Sequence, residues 1–116
     1  MQIRTFRDLI AWQKSMALVR LVYQATQMMP ESERFGLTNQ MRRSAVSIPS
    51  NIAEGSRHKT PGYTHHLVIA LGSHAELDTQ CELATRRRFI KLDDQAKLQH
   101  LIDEAGRIIH GLARSL

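Results

Sequence analysis

Two short basic groups are the residues best suited to chemistry in this chain, and that chemistry is anion binding. Arg86, Arg87, Arg88 and Lys91 crowd one stretch, while Arg57 and Lys59 bracket His58 in another. Clusters of this kind neutralise phosphates, giving affinity that is salt-sensitive and independent of base sequence. The formal net charge of +5 agrees with a polyanionic partner such as RNA or DNA. A third group is polar: Gln40, Arg43, Ser47, Asn51 and Glu54 recur at three- and four-residue steps and so share one face of a helix. That face could meet nucleic acid or a partner protein. It is read first as an interfacial seam between helices or subunits, because a stripe holding an arginine and a glutamate can satisfy itself.

Other chemistry is sparse. His66 and His74 lie eight residues apart, roughly 12 Å along a helix, too far to share a metal ion. Neither a His-Glu-x-x-His nor a Glu-x-x-His pattern occurs, so no metal site and no cofactor are expected. His74 and Cys81 fall on an apolar stripe, which marks them as core or interface residues, and nothing places an activating group beside the thiol. Gly55, Gly62 and Gly72 are too scattered for a phosphate loop. The arginine-histidine spacing of helical ribonucleases is not met, Arg57 to His65 being too long a gap and Arg107 to His110 too short. No catalytic residue is assigned, and a non-enzymatic binding protein is expected.

The elements that must position these residues are helices. Apolar residues make up 42% of the chain but aromatics only 5%, a balance suited to Leu/Ile/Ala packing rather than to strands. The first helix is expected from about Arg7 to Met28, ending before Pro30. Leu9, Trp12, Met16, Val19 and Tyr23 form its bundle-facing stripe. A second set, Leu18, Leu21, Val22 and Ala25, widens that face beyond what one small bundle covers, implying burial against another subunit. Helix two is expected from Phe35 to Glu54 with Leu37, Met41, Ala45, Ile48 and Ile52 inward, a kink near Pro49 and Gly55 as the C-terminal cap.

Thr60 and Pro61 supply a hydroxyl N-cap and a first-turn proline for helix three, expected from Pro61 to Arg87. Its stripe is Tyr63, Leu67, Ala70, His74, Leu77, Cys81 and Ala84. Helix four opens at Asp93 or Asp94, which complement its dipole, and turns Leu98, Leu101, Ile102, Ala105, Ile108, Ile109 and Leu112 inward. Four helices of roughly 20 residues, each about 30 Å long, with short connections predict an all-α fold: an antiparallel up-down-up-down four-helix bundle forming one domain over residues 1–116. The two basic groups then lie at opposite ends of the bundle.

Several segments in this order and spacing carry a resemblance: Phe6-Arg7-Asp8-Leu9 with Trp12-Gln13-Lys14, Pro30 to Leu37, Gln40 to Ser44, and Ala70-Leu71-Gly72-Ser73 followed by Glu76-Leu77. The most specific is Ser47-Ile48-Pro49-Ser50-Asn51-Ile52-Ala53-Glu54-Gly55. Together they resemble the bacterial four-helix-bundle family first described from reading frames in intervening sequences of 23S ribosomal RNA. That family is in turn similar to the accessory protein of diversity-generating retroelements, a basic, barrel-like homopentamer that binds nucleic acid and a reverse transcriptase. The resemblance implies a bundle, assembly into a homo-oligomeric ring with a pentamer suspected, and nucleic-acid contact; it implies no reaction. The chain departs from the family pattern at Tyr63-Thr64-His65-His66. It departs again at Arg86-Arg87-Arg88-Phe89-Ile90, where a glycine-aromatic turn is more usual, and the arginine triplet there strengthens the case for a local anion site.

A single cysteine excludes an intrachain disulfide, and neither an N-terminal apolar segment nor a run long enough to cross a bilayer is present. The expected setting is therefore cytoplasmic, without membrane contact. The expected partners are copies of the same chain and nucleic acid. The alternative is a protein-interaction scaffold that recruits a partner protein without binding nucleic acid.

Overall fold

Helical periodicity is realised in four helices of the computed structural model, which describes residues 3–116: α1 (Ile10–Thr26), α2 (Leu37–Gly55), α3 (Thr60–Arg86) and α4 (Leu92–Arg114). Among the described residues there is no strand. Each helix packs on the two beside it in the ring α1–α2–α3–α4, which α1 and α4 close, and not on the diagonal one, and α2 and α3 share the most extensive contact. Short connections between such neighbours produce the up-down-up-down bundle, with principal extents of 42 × 24 × 20 Å.

The chain enters by a separate turn rather than by a helix beginning near Arg7. Phe6–Asp8 form a 3-10 turn closed by a capping box. The Thr5 hydroxyl accepts from the Arg7 N–H at 3.1 Å, and the Asp8 carboxylate accepts from the N–H groups of Arg4 and Thr5 at 2.9 and 3.2 Å. Leu9 is extended, so α1 starts only at Ile10. The α1–α2 connection holds a second 3-10 turn, Glu31–Glu33, and the Glu33 carboxylate accepts from the Leu37 N–H at 3.2 Å.

The face of α1 that enters the core is not the expected stripe. Ala11, Ser15, Leu18, Val22 and Ala25 are buried, whereas Met16 and Tyr23 are exposed and Leu9, Trp12 and Val19 only half-buried. The inner face mixes the small Ala11 and Ser15 with the larger Leu18 and Val22. Ser15 covers its own polar cost by donating to the Ala11 carbonyl at 2.6 Å. The second apolar set thus supplies most of the core face; of the first set, Leu9, Trp12 and Val19 pack against the edge of the core, and only Met16 and Tyr23 stand outside.

In α2, Leu37, Met41, Ala45, Ile48 and Ile52 are buried as expected, but Phe35 lies before the helix and is 87% exposed. The helix continues through Pro49 without a break; the buried ring has no N–H, so the Ala45 carbonyl has no helical donor. Gly55 is the last helical residue and has no positive φ, so it is not the left-handed cap. It is required by proximity: a Cβ there would stand 2.8 Å from His66 Cβ and 3.3 Å from the Tyr63 ring and carbonyl. Glycine thus lets the end of α2 close on the start of α3.

The cap of α3 is Lys59, one residue earlier than expected, with Thr60 and Pro61 in the first turn. Its stripe holds: Leu67, Ala70, Leu77, Cys81 and Ala84 are buried, with Tyr63 and His74 half-buried. His74 is a packing residue. Its Nε2–H donates to the Ile102 carbonyl at 2.7 Å, and the ring occupies the space where a Cβ on Gly106 would lie 2.8 Å away. In α4, Leu98, Ile102, Ala105 and Ile109 are buried, while Leu101, Ile108 and Leu112 are half-buried against the core.

Candidate functional site

Helical spacing put Gln40, Arg43, Ser47, Asn51 and Glu54 on one face, but the fold divides them. Gln40 and Arg43 are exposed and, among the described residues, make no side-chain hydrogen bond; the seam does not pair Arg43 with Glu54. Ser47, Asn51 and Glu54 instead join a network with α3. The Ser47 and Ser73 hydroxyls share a bond of 2.8 Å. The Asn51 amide N–H groups donate to the Ser47 carbonyl at 2.9 Å and hydroxyl at 3.1 Å. Because a carbonyl can only accept, that orientation turns the Asn51 oxygen toward His66, whose Nδ1–H donates to it at 3.1 Å. Nε2 of His66 then faces the Glu54 carboxylate at 3.9 Å.

A histidine that spacing along the chain did not connect completes this corner. His58, in the turn after α2, stacks on His66 with ring centres 5.2 Å apart and planes 23° from parallel, and His65 meets His66 edge-on at 5.4 Å. Gly62 permits this, since a Cβ there would lie 2.7 Å from His58 Cβ. The ligand atoms of Glu54, His58 and His66 all fall within 4.8 Å of one another. The sequence tested only His66 with His74 and missed this group, because His58 is brought in by a turn rather than by a helical period.

The basic groups do lie at opposite ends, separated by the 27 residues of α3, about 40 Å. At one end Arg86, Arg87, Arg88 and Lys91 are all exposed. Arg86, Arg88 and Lys91 line a concavity of about 750 Å³ between the α3–α4 turn and the end of α1. Carboxylates offset part of this charge. Arg86 is bound to Glu82 at 2.8 Å, Arg87 lies over Phe89 at 5.4 Å, and Asp94 shares the concavity wall. The turn itself closes α3 as a Schellman motif. Phe89 N–H donates to the Ala84 carbonyl and Arg88 N–H to the Thr85 carbonyl, both at 2.9 Å, with Arg88 at φ 61°.

At the other end Arg57 gains a companion that the sequence did not suggest. Arg4, from the entry turn, lines with it a concavity of about 500 Å³, together with Ser56 and Tyr63. Among the described residues no carboxylate lines this concavity, and Lys59 lies outside its wall. Burial raises the Tyr63 hydroxyl above the ordinary tyrosine range, so it remains a proton donor.

Two further features bear on function. Cys81 is buried, and burial, with the nearby Asp78 charge, pushes its thiol up to about 12, so the sulfur stays protonated and unreactive. Arg42 ties α2 to α1: its Nε–H donates to the Thr26 hydroxyl at 2.9 Å and its guanidinium lies 4.6 Å from the Tyr23 ring centre. Among the described residues, no helix is long and apolar enough to cross a membrane.

The fold has a solved counterpart. A protein of unknown function from the S23 ribosomal protein family of Bacteroides thetaiotaomicron is similar at a TM-score of 0.81 and 23% identity, covering 90% of this chain and 96% of that one. At that identity the likeness concerns the fold alone. No curated protein matches the sequence. The 23S rRNA-intervening sequence protein family matches residues 7–111, nearly the whole bundle from the entry turn to the last turns of α4, and the chain belongs to that family.

Proposed function

We propose that the protein is a non-enzymatic, oligomeric binding protein that contacts nucleic acid through its basic helix ends. The observation that carries this reading is the Arg4–Arg57 concavity: two arginines distant in sequence line it together, and, among the described residues, no acidic residue lines it with them. Arginine pairs of this kind suit phosphate, and the Tyr63 hydroxyl adds a donor, whereas the Ser56 hydroxyl is committed to the Ala53 carbonyl at 2.8 Å. Arg88 and Lys91 form a second, weaker contact, because Asp94 and Glu82 offset their end. RNA is the favoured polymer: the family's name refers to 23S rRNA, and the Bacteroides relative is described as belonging to a ribosomal protein family. The buried, protonated Cys81 is not placed to act as a nucleophile.

Charge reversal tests it. Arg4→Glu with Arg57→Glu is expected to abolish retention on structured RNA at low salt, while Arg88→Glu with Lys91→Glu weakens it less. Unchanged retention by the Arg4/Arg57 variant would overturn the proposal.

A second reading has its own support. One flank of α1 carries exposed Met16 and Tyr23 beside Trp12 and Val19, which are half-buried against the core, and Arg42 lies over the Tyr23 ring. This favours a scaffold that assembles with copies of itself or recruits a partner protein. It predicts a defined oligomer with no salt-dependent nucleic-acid affinity.

A further inference from the structure

We propose that Glu54, His58 and His66 form a binding site for a divalent transition-metal ion of the zinc type, at the corner where α2 ends and α3 begins. Two imidazoles and one carboxylate are a donor set suited to such an ion, and their ligand atoms already lie within 4.8 Å of one another. Zinc–ligand bonds of about 2.0–2.2 Å in tetrahedral array separate the donors by about 3.3 Å. The group must therefore contract by about 1.5 Å, starting from that 4.8 Å limit. The two members free to move can supply this: His58 is exposed, and the Glu54 side chain is 65% accessible.

His66 is the fixed member, with its side chain only 15% accessible. Its orientation is what a metal ligand requires. Nδ1–H is committed to the Asn51 oxygen at 3.1 Å, so the lone pair resides on Nε2, on the side facing Glu54. A hydrogen-bond acceptor on the far ring nitrogen sets the tautomer and raises ligand basicity in metal-bound histidines generally. Asn51 is itself held by Ser47, so the anchoring chain runs back through α2 to Ser73 on α3. Gly55 and Gly62 are the steric conditions for the site. A Cβ on either would stand within 2.8 Å of His66 or His58 and push apart the two rings that must converge. The stacking of His58 on His66 keeps them together before any ion arrives.

Three protein ligands on a half-open corner leave a further coordination position to solvent, and Arg57 and Lys59 beside His58 oppose a cation. Affinity is accordingly weaker than in a fully enclosed structural zinc site. The experiment is calorimetric titration of tag-free, chelator-treated protein with Zn²⁺, with Co²⁺ absorption reporting on coordination. The expected result is one ion per chain, with affinity lowered at least ten-fold in His58→Ala and in Glu54→Gln, and unchanged in His110→Ala, whose histidine is exposed on α4. Glu54→Gln preserves shape and keeps the test valid if His58→Ala fails to fold. Absence of saturable binding, or binding equal in wild type, His58→Ala and Glu54→Gln, would overturn the site.

Discussion

Arg88 occupies a backbone conformation that suits glycine. Its φ of 61° is the left-handed cap position of a Schellman motif, where a Cβ costs about 1 kcal/mol or more relative to glycine. Arg88→Gly is therefore expected to raise stability by about 1 kcal/mol, read as a shift of the urea midpoint at constant slope; an unchanged or lowered midpoint would contradict the strain argument. The glycines make the complementary case. Gly55→Ala places a methyl 2.8 Å from His66 Cβ and is expected to cost about 1–3 kcal/mol by overpacking. Gly72, in mid-α3, has nothing within 4 Å of a built Cβ, so Gly72→Ala should stabilise by about 0.5–1 kcal/mol. Equal effects of the two substitutions would sink the distinction between a glycine required by close approach and one that intrachain packing does not need. The sequence assigns Gly55 a capping role and Gly72 none, but spacing along one chain does not report that α3 passes close to Gly55.

Among the elements, the four helices and the inner stripes of α2, α3 and α4 were legible because large aliphatic residues mark one face of each. The phase of α1 was not. Its apolar residues form two adjoining stripes, and the one centred on the core includes Ala11 and Ser15, which bulk alone does not mark. The candidate site was legible to the same extent. Ser47, Asn51 and Glu54 lie within one helix and were grouped by its period, whereas His58, Arg4 and Ser73 join through turns and neighbouring helices. The entry turn also escaped helical reading, and it has a pH signature. The Arg4 and Thr5 N–H groups donate to the Asp8 carboxylate and hold its pKa below the usual aspartate value. A depressed folded value contributes stability that is present above the unfolded value and lost as pH falls through the folded one. Amide exchange at Arg4 and Thr5 should therefore accelerate on acidification below the ordinary aspartate range, and be fast throughout in Asp8→Ala. Exchange independent of pH, once corrected for its intrinsic rate, would exclude this capping role.

The whole molecule is a rod 42 Å long whose basic concavities sit at its two ends, so a single chain engages one compact stretch of phosphate with one end at a time. The Arg4–Arg57 end offers two arginines. Counterion release then gives a log–log salt slope of about −1.8 on duplex, a loss of about twelve-fold between 50 and 200 mM salt. An assembly that sets several copies of this end along one polymer multiplies the slope by the number of ends engaged, without any new contact. Measuring the slope together with solution mass therefore separates the readings. A monomer should show the shallow slope. A ring formed through the outer face of α1 should show a slope several times steeper, returning toward zero in the Arg4→Glu, Arg57→Glu variant while the mass is unchanged. A defined oligomer with no slope would assign the apolar face of α1 to a scaffold and remove nucleic acid from its role.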